Sequence, residues 1–255
     1  MNKLFRAVAA LVLIAAPLRA QDMLQGVDLS QPAYSQSEMT RADVEAALKA
    51  GRNDFSGRSL NGLDLSGLDL SGANFRAARL NKARLAGAKL DGAILDQAWM
   101  MHADLIGATL TGAHAFAAQM QHMRADGADF SGARLAGDLT GASLRGAVFN
   151  GANLSADMKN QSMGLMRAVL RSAVLEGAKF RKANLMSADL RFARAKGADF
   201  TSANLMNADA SGADLTGVVL DGAMTKDLDL DSAQIGGVSE EALKPARNLD
   251  RARRQ

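Results

Sequence analysis

The stretch SGANFRAARLNKARLAGAKL, residues 71–90, places an apolar side chain at every fifth position: Phe75, Leu80, Leu85 and Leu90. Alanine stands two residues before each, at Ala73, Ala78, Ala83 and Ala88. A period of five matches neither the 3.6 of an α-helix nor the 2 of a strand, so no straight helix or flat strand keeps this stripe on one side. A chain with this rhythm must turn at regular intervals and coil, and each short unit is buried only by stacking on its neighbours.

Outward from that stretch the rhythm persists. It begins at Phe55, passes through Leu60, Leu65 and Leu70, and continues to Leu95, Met100, Leu105 and Leu110. Ala115, Met120 and Ala125 are weaker centres, after which Phe130 and Leu135 restore it. A slip follows: the centres move to Leu139, Leu144, Phe149 and Leu154, Met158 is the next candidate, and Leu165 is back in phase. The pattern then runs from Leu170 to Ile235. Alanine before each centre is small enough to point inward, and the Gly, Ser and Ala between centres suit tight corners. Asn or Asp just before the centre, as at Asn74, Asp104 and Asn184, can hydrogen-bond the nearby backbone.

ANF, ADL, ADF and ANL at five-residue intervals resemble the motif of the pentapeptide repeat family, A-[DN]-L-x-x, over about residues 53–237. The resemblance implies an all-β solenoid: a right-handed, quadrilateral β-helix with four pentapeptides per coil. Its apolar centre and the residue two before it face inward. The repeats present would make about nine coils, a rod on the order of 40 Å long at the spacing of stacked strands.

The flanks differ in kind. MNKLFRAVAALVLIAAPLRAQ has a charged start (Lys3, Arg6), an apolar run from Ala7 to Ala16 and small Ala20. It is read as a signal peptide over 1–20, which predicts export to the periplasm. The apolar run is about half what a membrane span needs, so no stable span is expected after cleavage. Residues 21–52 are lead-in and a capping helix expected over 41–50, with Thr40 and Asp43 as a capping box. Residues 238–255 make a short C-terminal helical cap beginning at Ser239, then a basic tail expected to fray. The slip at 136–165 is the one sizeable irregularity of the column.

Composition narrows the chemistry. There is no cysteine, so disulfides and thiolate metal sites are excluded. The net charge of +3 disappears once Lys3, Arg6 and Arg19 are removed, which leaves 27 basic and 27 acidic groups. A neutral chain gives no bulk attraction to nucleic acid. Three histidines without Ser or Asp partners at suitable spacing make no nucleophilic triad. The glycines belong to the repeat rather than to a phosphate loop. No enzyme activity and no cofactor are expected.

With twenty residues per coil, residues twenty apart stack into surface columns. Met166, Met186 and Met206 form one, outward by its place after the centre. It is a contact strip for a partner, a soft site for Cu(I), or the cover of a shallow corner groove. His102 and His122 form another, with Met101 and Trp99 beside them. Two imidazoles there either share a metal or make a polar ladder without a ligand. Asp189, Asp209 and Asp229 form an acidic column accompanied by Arg171 and Arg191, read as a solvated face.

The leading expectation is a non-catalytic, exported structural or adaptor protein that binds another protein or an envelope component along one flat face. The runner-up is a copper-type metal-binding envelope protein using the Met or His columns. The resemblance also implies a third reading, a DNA mimic that protects a topoisomerase; that role calls for an acidic rod, and this chain is neutral. It further implies dimerisation through the C-terminal cap.

Overall fold

The computed structural model describes residues 31, 35–156 and 166–254. The expected signal peptide, Met158 and Leu165 lie outside the described residues.

One pentapeptide explains the rest. Ala73 and Phe75 are fully buried, and Asn74 between them faces out. The Ala78 amide then donates to the Phe75 carbonyl at 2.9 Å, closing a four-residue turn. Ala77, third in that turn, has φ of 54°. A turn with a left-handed third residue favours glycine there, which is why Gly72 (φ 65°) occupies the equivalent corner one pentapeptide earlier. Two inward residues, one outward residue and a two-residue corner make five.

Four such corners close a coil, and successive coils are joined by parallel single-residue pairings. The first face carries Asp54, Asn74, Ile94, His114 and Arg134, and the second Ser59, Arg79, Trp99, Gln119 and Asp138. The third carries Asp64, Arg84, Asp104, Arg124 and Ser143, and the fourth Asp69, Lys89, Thr109, Asp129 and Val148. The bonding is continuous: the Phe55 amide donates to Asn74 O at 2.8 Å, and the Asn74 amide donates back to Asn53 O at 2.8 Å.

The regular step of twenty is broken by two successive steps, one of nineteen and one of thirty-one. Gln119 pairs with Asp138, nineteen residues on, because only three residues separate the centres Leu135 and Leu139. Gly137 stands where other repeats have inward alanine, and a Cβ there would meet the Ala118 carbonyl oxygen at 2.6 Å. The shortened corner draws the backbones together, so the methyl has no room. Asp138 then pairs with Val169, thirty-one residues on, and Val169 with Asp189, twenty on. The extra chain falls between Ala156, whose amide donates to Met186 O at 3.1 Å, and Ala168, whose amide donates to Leu154 O at 3.3 Å.

The core ignores the break. Phe130, Phe149, Phe180 and Phe200 stack at 4.8, 4.7 and 4.9 Å between successive ring centres. The middle step crosses from one side of the extra chain to the other.

Helix α1, Arg41–Lys49, precedes the column. Thr40 accepts from the Asp43 amide and Asp43 accepts from the Thr40 amide, and Val44 joins the core. After the column comes α2, Glu240–Leu243, with Leu243 fully buried. The tail does not fray. Leu230 N donates to Arg247 O at 3.1 Å and Ile235 N to Arg253 O at 2.8 Å, so the second and third faces continue to residue 253. The tail arginines are held by acidic groups of the preceding turn, Arg251 by Asp231 at 3.0 Å and Arg254 by Glu240 at 2.9 Å. Among the described residues, no helix is long and apolar enough to cross a membrane.

Candidate interaction surfaces

Surface chemistry on this column is set by register, because each outward side chain sits on the one a coil away. His102 and His122 obey this most directly. Both occupy left-handed corner positions, with φ of 58° and 56°, and both are exposed. Their rings stack at 5.2 Å and 15°. The His122 ring overlies Gly141, where an added Cβ would meet Nδ1 at 2.6 Å. Burial, then the neighbouring His122 and Lys82, hold His102 below the ordinary histidine value of 6.5. Nearly parallel rings keep equivalent nitrogens about as far apart as their centres. Two metal–nitrogen bonds of zinc length span only about 4 Å, so the pair as it stands does not chelate. Met101 is 5% exposed and lies in the wall, which corrects the expectation that it could join the histidines at the surface. His114 lies on the first face, apart from them. Among the described residues, no three His, Cys, Asp or Glu side chains are grouped as a metal site.

The methionine column runs along the corner between the first and second faces. Ser187 N donates to Met206 O at 2.9 Å, which sets Met186 and Met206 in adjacent coils. Met166 enters where the chain rejoins the column, beside Arg167 and Ala168. All three methionines are half-buried rather than exposed. The exposed large apolar side chains are instead Phe192, Met224 and Val219. The Phe192 ring lies over Gly212, as His122 lies over Gly141.

The second face holds a site that the linear reading understated. Asp189 is 1% exposed and is not part of a solvated face. Arg191 Nε donates to it at 2.8 Å, Arg171 Nη2 at 3.3 Å and Arg167 Nη2 at 3.4 Å. Burial by itself would raise the Asp189 carboxyl; hydrogen bonds from the Arg191 side chain and backbone, with the charges of Arg191 and Arg167, hold it below 3.8. Arg191 also reaches Asp209 at 3.5 Å, and Arg167 donates to Ser187 O at 3.1 Å. Arg171 and Arg191 are visible in the acidic column from sequence alone. Arg167 is not, because counting in twenties places it over Ser187, and it reaches Asp189 only diagonally, across twenty-two residues.

The family description "Pentapeptide repeats" matches eight copies, over residues 59–97, 78–114, 102–132, 127–156 and 183–222, together more than half of the chain. The chain belongs to the pentapeptide repeat family. Its coil is therefore the right-handed quadrilateral β-helix of pentapeptide repeat proteins. Among solved structures it is similar to HetL, a pentapeptide repeat protein involved in heterocyst differentiation regulation from the cyanobacterium Nostoc, at 28% identity and TM-score 0.34, over 85% of this chain and 95% of that one. It is also similar to QnrB1, a plasmid-mediated fluoroquinolone resistance protein, at 20% identity and TM-score 0.49, over 79% of this chain and 83% of that one. A third likeness is a pentapeptide repeat protein of the Arabidopsis thaliana thylakoid lumen, at 30% identity and TM-score 0.24, over 45% of this chain and 66% of that one. A comparison with curated proteins finds no match.

Proposed function

We propose that this pentapeptide repeat protein is a non-catalytic, exported adaptor that presents one stiff face of its coil to a protein or envelope partner. The observation that carries the reading is the backbone register across Ser187 and Met206, which fixes side chains of neighbouring coils at strand spacing. A surface already ordered loses little entropy on docking. The contact face runs along Met166, Met186 and Met206, where flexible thioethers adapt to a partner's contour. In this reading α1 and α2 serve as end caps of about nine coils, and residues 1–20 direct export.

The test is cross-linking and recovery of partners from intact cells, with wild type beside Met186→Asp. The expected result is a partner retained by wild type and lost by the variant, whose unfolding midpoint is unchanged. Equal recovery by both removes the methionine face from the reading. Residues 1–20 are tested separately, by N-terminal sequencing of protein from the periplasmic fraction.

A further inference from the structure

The fourth face ends before its neighbours, one pairing short of the first face and two short of the third. Its pairings run from Asp69 to Val219. The next strand would lie near residue 239, but the chain turns there into α2. Gly217 N bonds to Gly236 O at 2.8 Å before the gap, and Asp227 N bonds to Pro245 O at 3.0 Å after it. Equivalent groups one coil earlier are used: Phe200 N donates to Val219 O and Ser202 N to Asp221 O, both at 2.8 Å. The Leu220 and Gly222 amides and the Val218 carbonyl have no backbone partner among the described residues.

This missing strand leaves a groove of about 520 Å³ lined by Val218, Leu220, Asp221, Ala223, Glu241 and Ala242. That size falls among sites that seat a small ligand, roughly 300–1,000 Å³, and suits a few residues of extended chain. Unpaired ladder groups beside apolar walls are a template for an added strand. An incoming parallel segment donates to Val218 O and accepts from Leu220 N and Gly222 N, the register every other coil uses. Small apolar side chains fit against Leu220, Ala223 and Ala242. Asp221 has no ion-pair partner among the described residues, whereas Glu241 is held by Lys244. A lysine or arginine completes that rim. Glu241 and Ala242 of α2 line the notch opposite the open ladder, so an incoming segment lies between the fourth-face edge and α2.

We infer that this notch docks an extended segment of a partner protein, apolar and small at its centre with one basic side chain directed at Asp221. The inference rests on the interaction reading above, but on a different surface: the end of the fourth face rather than the corner between the first and second.

The experiment uses the full chain and blocked synthetic peptides with Val-Lys-Ala at their centre. Matched peptides carry Glu for Lys, or N-methyl groups at alternate residues. Readouts are hydrogen exchange at Leu220 and Gly222 and a binding titration. The Lys peptide is expected to slow both amides at least tenfold and leave Leu85 unchanged. The Glu peptide and Asp221→Lys each weaken binding about tenfold, the scale of one charge-assisted bond. Asp221→Asn, which keeps the side-chain shape, weakens it less. Met186→Asp leaves peptide binding intact, so failure of the methionine face and failure of the notch are told apart. Three results overturn the inference: no protection at either amide, equal binding of the N-methylated peptide, or protection that grows with protein concentration alone in step with a dimer in sedimentation.

Discussion

The two ends of the column solve the same problem differently. At the N-terminal end, α1 lays Val44 on the core, and Arg41 Nη1 donates to the carbonyls of Asp64 and Ser66 at 3.0 and 3.2 Å. Those are acceptors that an earlier coil would have used. Glu38 N donates to Ser59 O at 2.9 Å, and its carboxylate accepts from Ser59 N at 3.3 Å. At the C-terminal end Leu243 fills the core and the tail extends two faces, but the fourth is left open. A solenoid end therefore has two separate demands. The apolar cross-section is covered by one well-placed side chain, whereas the ladder groups must be satisfied one at a time.

The comparison holds only if both ends belong to one cooperative column, and the joint is Asp189. Replacing it by Asn leaves three guanidiniums without their buried carboxylate, at a cost of about 3–5 kcal/mol. Urea unfolding should show that loss, and two separated transitions would mean that the ends no longer unfold together. Acid acts on the same group. Its folded pKa lies below the ordinary 3.8. Its contribution is therefore present above that value and is lost as pH falls through the lower folded one. Unfolding at pH 3, compared with pH 7, should narrow the gap between wild type and Asp189→Asn.

Next in size is Leu243→Ala, at about 2–5 kcal/mol for a fully buried leucine. Because each coil contacts only its neighbours, the loss should be local. Hydrogen exchange should accelerate first at Leu230 and Ile235 and leave Phe75 unmoved. Uniform acceleration would make the column a single block and erase the distinction between its ends.

Much of this was legible before any coordinates. The period of five sets the coil, the inward alanines and the columns, because a repeat enforces the same local geometry wherever it recurs. The Thr40–Asp43 box and the Ser239 helix start were legible from residue type. What failed to show was whatever leaves its own column or depends on the slip. Arg167 stacks over Ser187 and crosses to Asp189 beside it, and Gly137 reads as one more glycine until its approach to Ala118 is seen. Met101 shares the outward corner position of its repeat, yet its side chain lies in the wall. The open fourth face was also hidden, since a missing strand leaves no residue to mark it.

Arg41→Ala tests the sealing of the first end. The two carbonyls it serves are partly reached by water, so the cost is about 1 kcal/mol, the low end for an orphaned acceptor. Faster exchange should appear at the third-face amides Leu65 and Arg84 and not at α2.

The smallest effect separates the ends most cleanly. Both helices begin at a hydroxyl residue, Thr40 for α1 and Ser239 for α2. The Thr40 side chain accepts from the Asp43 amide at 3.2 Å, and the Asp43 carboxylate accepts from the Thr40 amide at 2.8 Å. Ser239 makes no side-chain cap bond. Thr40→Ala should therefore cost about 1 kcal/mol, the usual loss of a working N-cap. Ser239→Ala should leave the unfolding midpoint where it was, because there is no bond to lose. If Ser239→Ala proves as costly as Thr40→Ala, the start of α2 is held by its hydroxyl after all. The groove beside it would then be bounded by a fixed wall, and the asymmetry between the two ends would lie in the fourth-face ladder alone.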